Sequence, residues 1–318
     1  MINLEAINSA YLKIKNHIKE TPLVICEFLS NYCDGQVYLK LENQQITNSF
    51  KIRGALNKIM SLSEEEKKKG IITASSGNHA QAVGVVAEQL GISAKIVVPE
   101  TTPKNKIDKI KKLDVILELF GKNYDEAEVY TRELTSKEGR TFVSAYNDKL
   151  IIAGQGTIGL EIYNDLSEVT DVLVPLGGGG LLSGIAVALK TLNPAIRIFG
   201  VQTEACPAFY ESLKIGKIID VEMKDSIADG MYGGIEQGSI TFDLVREFVD
   251  EVIVVKEDTL YKAIDLFWKE EKQVIEGAAA AAIAPILENK SRFTGKTIVS
   301  IITGGNIDKE LFLKIIKK

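Results

Sequence analysis

Nine short apolar or β-branched runs punctuate this 318-residue chain, with helical patterns between most of them. They are Val37 to Leu41, Ile71 to Ala74, Lys95 to Val98, Val115 to Leu119, Thr141 to Val143, Asp171 to Pro175, Arg197 to Val201, Val252 to Val255 and Thr297 to Ile302. This alternation predicts α/β layers whose strands are mostly parallel, because a parallel neighbour is reached only through a long crossover. Four runs fall between residues 71 and 147, with helical patterns near 79–90, 104–113 and 124–138. A smaller lobe over 71–147 is therefore expected, beside a larger one built from 1–70 and 148–318. Ser63 and Glu66 predict a capping box for a solvated helix that Gly70 ends, with Glu64 and Lys68 paired four residues apart.

Composition excludes several function classes. A formal net charge of -5, with lysines scattered among acids, offers no basic face for nucleic acid. The first twenty residues lack the apolar stretch of a signal peptide, and the longest apolar run, Gly277 to Leu287, is short and contains Pro285. A cytoplasmic protein without a membrane span is expected. Cys26, Cys33 and Cys206 show no C-x-x-C spacing and read as core residues in a reducing compartment. With His17 and His79 the only histidines, neither a His/Cys zinc site nor a Ser-His-Asp hydrolase is expected, and no G-x-S-x-G occurs.

Four segments carry candidate chemistry. In Ser49-Phe50-Lys51-Ile52-Arg53-Gly54-Ala55, Lys51 follows an aromatic residue at the start of a helical pattern. Partial desolvation beside Phe50 and the positive helix end would favour a neutral, nucleophilic amine able to form a Schiff base. A solvated surface lysine is the plain alternative. Gly177 to Gly180 follow strand Asp171 to Pro175 and open the helical pattern from Leu181, where bare amides and a helix N-terminus suit a phosphate. Close packing of helix on sheet would also use such glycines. Ser75-Ser76-Gly77-Asn78-His79 follows strand Ile71 to Ala74 at the carboxyl edge of a parallel sheet, where its amides and hydroxyls suit a carboxylate or simply cap a helix. Thr303-Gly304-Gly305-Asn306 is a further small-residue turn after the last strand. The literal G-x-G-x-x-G at Gly154 to Gly159 sits within a helical pattern and lacks an acidic strand end some twenty residues on, which argues against dinucleotide binding.

Together these segments resemble the fold type II pyridoxal-phosphate (PLP) enzymes, the tryptophan synthase β-like fold, and in particular their threonine/serine dehydratase and serine racemase branch. The resemblance covers nearly the whole chain and implies two lobes, each a mostly parallel sheet flanked by helices. It makes Lys51 the Schiff-base lysine with Phe50 against the ring, and Gly177, Gly178, Gly179, Gly180 and Leu181 the phosphate cup. Asn78 would contact the cofactor's phenolic oxygen and Thr303 its pyridine nitrogen. Ser75, Ser76, Gly77, Asn78 and His79 would hold the substrate, with Ser76 opposite Lys51. Thr21-Pro22-Leu23, Ala153 to Thr157 and Ala228-Asp229-Gly230 match as well.

The resemblance further implies a dehydratase of L-threonine and L-serine, in which Lys51 removes the α-proton, the β-hydroxyl leaves, and a 2-oxo acid and ammonia are released. Serine racemase and threo-3-hydroxyaspartate dehydratase are the alternatives. His79 stands where cysteine synthase-like relatives have Thr, which weakens β-replacement. At the divalent-cation position Glu204 and Ala208 match but Tyr210 replaces the expected Asp, and a phenol is a poor ligand for a hard cation. Glu276 corresponds to a position near the cofactor, or forms a structural salt bridge. A homodimer is implied, without a C-terminal regulatory domain.

Overall fold

A computed structural model describes residues 2–317. Ten strands are present: β1 Leu23–Ile25, β2 Gln36–Lys40, β3 Ile71–Ala74, β4 Ala94–Val98, β5 Ile116–Leu119, β6 Thr141–Phe142, β7 Asp171–Pro175, β8 Arg197–Thr203, β9 Glu251–Val255 and β10 Thr297–Ile301. They form two sheets. The larger runs β1-β2-β10-β7-β8-β9 and the smaller β5-β4-β3-β6. Every pairing is parallel except β1 with β2. The expected α/β class is thus observed, with all nine expected strands in place within one or two residues. β1 was not anticipated, since a three-residue edge strand straight after Pro22 leaves almost no periodic signal.

Burial explains why the central strands read as continuous apolar runs. All five residues of β7 and all four of β3 are buried, as expected when helices cover both faces of a parallel sheet. The helix Lys149–Asp165 packs against both the helix Lys51–Met60 and the helix Gly180–Leu192. Gly154 and Gly156 make these crossings possible. A Cβ at Gly154 would meet the Arg53 carbonyl at 2.6 Å, and one at Gly156 the Gly184 carbonyl at 2.8 Å. The G-x-G-x-x-G therefore serves helix packing.

The capping box at Ser63 and Glu66 forms, and Gly70 ends the helix Glu64–Lys69 at φ +86. Its ion pairs differ from expectation. Glu64 pairs with Lys67 and Glu65 with Lys69, which satisfies both carboxylates within one turn and leaves Lys68 out. Among the described residues no helix is long and apolar enough to cross a membrane. All three cysteines are free and buried.

Candidate active site

The segments singled out in the sequence follow the carboxyl ends of parallel strands. Residues 41–50 lead from β2 to Lys51, Gly177 to Gly180 follow β7, Thr303 to Asn306 follow β10, and Ser75 to His79 follow β3. Because β2, β10 and β7 are neighbours, three of these loops share one sheet edge, where ligands of open α/β sheets collect.

Lys51 is the first residue of the helix Lys51–Met60. Its Nζ donates to the Ala145 carbonyl at 2.9 Å and lies 5.1 Å from the centroid of the Phe50 ring. Lys51 is half-buried, and protein crowds its amine closely enough that burial pulls its pKa from 10.5 down to about 8, with Glu276 pulling the other way. A substantial neutral fraction at neutral to mildly alkaline pH follows. The plain surface-lysine alternative is excluded.

The adjoining loop is stitched to the Thr303 turn. The Phe50 amide donates to the Thr303 carbonyl at 3.1 Å, and Ser49 bridges Gly304. Thr303 is buried, and its Oγ1 has no hydrogen-bond partner among the described residues.

Asn78 begins the helix Asn78–Leu90, but its side chain does not cap that helix; the N-cap is Gly77, which makes no side-chain cap bond. Instead Asn78 Nδ2 donates to Glu276 Oε1 at 2.8 Å, and its Oδ1 accepts from Asn306 Nδ2 at 2.8 Å. This rules out a simple helix cap. Ser75 Oγ accepts from the Gly77 amide, whereas Ser76 makes no side-chain hydrogen bond to protein among the described residues. The His79 side chain turns away from the loop: its Nε2 lies 3.0 Å from the Val143 carbonyl, and the side chain is buried. Burial, reinforced by Lys51, lowers its pKa to about 3, so the imidazole stays neutral and directed into the sheet. Only the backbone of His79 remains available to a substrate.

Glu276 was expected either near the cofactor position or in a salt bridge. It is buried and, among the described residues, forms no ion pair; its carboxylate accepts from Asn78 and from the Asn306 amide at 3.2 Å. Burial raises its pKa to about 7, with the Asn78 hydrogen bond opposing the rise.

Gly179, at φ +85, is the N-cap of the helix Gly180–Leu192, so the glycine turn delivers its amides to a helix N-terminus. Tyr146 packs on it: a Cβ at Gly178 would fall 2.4 Å from the Tyr146 ring. Tyr146 and the neighbouring Ala145, which holds Lys51, therefore connect amine and glycine turn. The sequence reading missed both. They follow β6, so the carboxyl-edge rule applied to that last short strand would have found them.

Glu204 accepts from the Glu257 amide, and the Tyr210 ring lies 3.8 Å beneath the Lys214 ammonium, which would repel a metal cation. Among the described residues no three His, Cys, Asp or Glu side chains come together as a metal site.

Residues 14–304 match the family model described as pyridoxal-phosphate dependent enzyme. The chain belongs to this family. It is 46% identical over all of its 318 residues to the L-threonine ammonia-lyase of Thermotoga maritima, covering 79% of that protein. Among solved structures, the processed form of threonine deaminase isoform 2 from Solanum lycopersicum superimposes with a TM-score of 0.93 at 36% identity, covering 99% of this chain and 86% of that one. Maize serine racemase gives 0.93 at 31% identity, covering 99% and 97%.

The residues present fit PLP. The family's cofactor needs an amine for its carbonyl carbon, an anion cradle for its phosphate and a partner for its ring nitrogen. Lys51, the glycine turn at the helix N-terminus and the unpartnered Thr303 hydroxyl offer one of each.

Proposed function

We propose that this chain is a PLP-dependent ammonia-lyase that converts L-threonine to 2-oxobutyrate and L-serine to pyruvate, releasing ammonia. One observation carries the reading: a lysine amine with a depressed pKa stands on the same sheet edge as a glycine-lined helix N-terminus and a buried, unpartnered hydroxyl. The names of the relatives, a threonine ammonia-lyase and a threonine deaminase, give the substrate class.

When bound, PLP supplies an electron sink for breaking the substrate's Cα–H bond. Gly177 to Gly180 and Leu181 would hold its phosphate through backbone amides, and Thr303 Oγ1 would serve the ring nitrogen. As a neutral hydroxyl, Thr303 would leave that nitrogen less protonated than a carboxylate would, favouring prompt elimination. Asn78 would contact the cofactor's phenolic oxygen through the carboxamide that Glu276 and Asn306 hold. Amides of Ser75 to His79 receive the substrate carboxylate, and Lys51 Nζ takes the α-proton as general base. The three free, buried cysteines suit a cytoplasmic setting. A homodimer is part of the same proposal, and light scattering reads it.

A second reading has its own support. Among the described residues the half-buried Ser76 hydroxyl has no hydrogen-bond partner, which would let it return a proton to the opposite face of Cα, as a serine racemase would require.

Incubation with PLP, hydride trapping and mass spectrometry should find the adduct on Lys51, and L-threonine and L-serine should yield 2-oxo acids. Lys51→Ala should abolish both. If neither amino acid yields a 2-oxo acid from unreduced enzyme whose hydride-trapped aliquot carries that adduct, the ammonia-lyase reading fails; D-serine outpacing pyruvate would favour the racemase.

A further inference from the structure

Arg53 lies two residues beyond Lys51 and is fully buried. Its guanidinium is saturated. Nε and Nη2 donate to the two oxygens of Glu42, each at 2.8 Å, while Nη1 and Nη2 donate to the two oxygens of Glu161 at 2.5 and 2.9 Å. Thr157 Oγ1, at 3.2 Å from Nη1, takes the remaining donor, and Thr21 Oγ1 lies 3.4 Å from Nη2. Lys40 completes the array, with Nζ 2.7 Å from Glu161 Oε2 and donating to the Thr21 carbonyl. Two cations and two carboxylates thus cancel in the interior. Burial works against the charge on Arg53, and Glu42 and Glu161 more than offset it.

Stability alone gives little reason for such an array, because buried ion pairs seldom outperform apolar side chains of equal volume. Its placement is more informative. Glu42 heads the loop that ends at Phe50, and Glu161 belongs to the helix Lys149–Asp165. The opposite side of the same turn is fixed too, for a Cβ at Gly54 would meet Gln155 Nε2 at 2.5 Å and one at Gly154 the Arg53 carbonyl at 2.6 Å. The first turn of the Lys51 helix is therefore held by a fork on one side and a backbone contact on the other.

We infer that Arg53 is a positioning residue whose fork, tying Glu42 to Glu161, closes the 42–50 loop and fixes where the Lys51 amine stands. This rests on the reading of Lys51 as cofactor anchor and base. Only a guanidinium serves, since the point ammonium of lysine cannot span two carboxylates in fork geometry.

Arg53→Lys keeps the charge and removes the fork. In the PLP-loaded enzyme kcat should fall roughly tenfold to a hundredfold with KM little changed, the effect of misplacing a reacting group by a fraction of an ångström to an ångström. In the cofactor-free protein, the pH midpoint for labelling Lys51 with an amine reagent should move from about 8 toward the ordinary 10.5, while Glu276, the charged group acting on Lys51, and the neutral His79 stay in place. The double variant Glu161→Gln/Lys40→Met removes one charge of each sign and carries the test if Arg53→Lys does not fold. Phe312→Leu, in the core beside Trp268, is the control for destabilisation alone. A folded fork variant that melts earlier yet keeps the wild-type midpoint and kcat overturns the inference. Absence of a PLP adduct on wild-type Lys51 would instead sink the functional reading, and the cofactor-free midpoint remains measurable in that case.

Discussion

Asn78 Nδ2 donates to Glu276 Oε1 at 2.8 Å, joining the first residue of the helix after β3 of the smaller sheet to a buried carboxylate outside that sheet. Asn306, in the turn after β10 of the larger sheet, donates to Asn78 Oδ1, so both ends of one carboxamide are fixed. The orientation of Asn78 toward the candidate cofactor site thus depends on how the segments around the two sheets meet. Surface pairs reinforce that meeting, with Lys106 on Asp229 and Arg132 on Glu236.

Glu276 should make stability fall as pH rises. Its carboxyl, raised from 4.5 to about 7, keeps its proton in the folded state over a window in which the unfolded chain has released it. Stability is highest below the unfolded value and declines through that window. In urea titrations of the cofactor-free protein from pH 4 to 8, Glu276→Gln should flatten this decline, which amounts to at most ~3 kcal/mol.

The same carboxylate holds the Lys51 pKa up against burial. Glu276→Gln should consequently lower the pH midpoint for labelling Lys51 below about 8, whereas a rise would mean that the carboxylate does not act on the amine.

Thr303→Val preserves side-chain shape and removes a buried hydroxyl that has no protein partner. The cofactor-free protein should gain about 1 kcal/mol in denaturant titrations, because an unsatisfied buried polar group is costly. PLP should bind on the order of tenfold more weakly, as expected for losing one hydrogen bond to the ring. Equal PLP affinity in both proteins would remove Thr303 from the site.

Gly154→Ala places a methyl group against the Arg53 carbonyl and Gly54 Cα, both backbone atoms that cannot swing aside. A loss of roughly 1–3 kcal/mol in the urea midpoint is expected from the forced separation of the two helices.

Much of the site was legible before the fold was known. Runs of β-branched residues marked the strands, glycines and short polar residues marked the turns after them, and a parallel sheet brings such turns to one edge. Lys51, the glycine turn and Thr303 could be singled out this way because each depends on local chain conformation. The literal dinucleotide motif was set aside on equally local grounds, and its glycines do lie inside a helix.

Other features depended on partners distant in sequence. Nothing around Arg53 reveals that it is buried, since its carboxylates lie 11 and 108 residues away, and nothing around His79 shows that the imidazole turns to Val143, 64 residues on. Glu276 acquires its raised pKa only from the surroundings that bury it, and Asn78, its partner, is 198 residues away. Periodicity and turn chemistry are properties of neighbours along the chain, so the sequence by itself determined the strands and their loops. Desolvation and hydrogen-bond partners are properties of neighbours in space, so only the tertiary structure decided which charges are buried, which amine is neutral and which hydroxyl is left free.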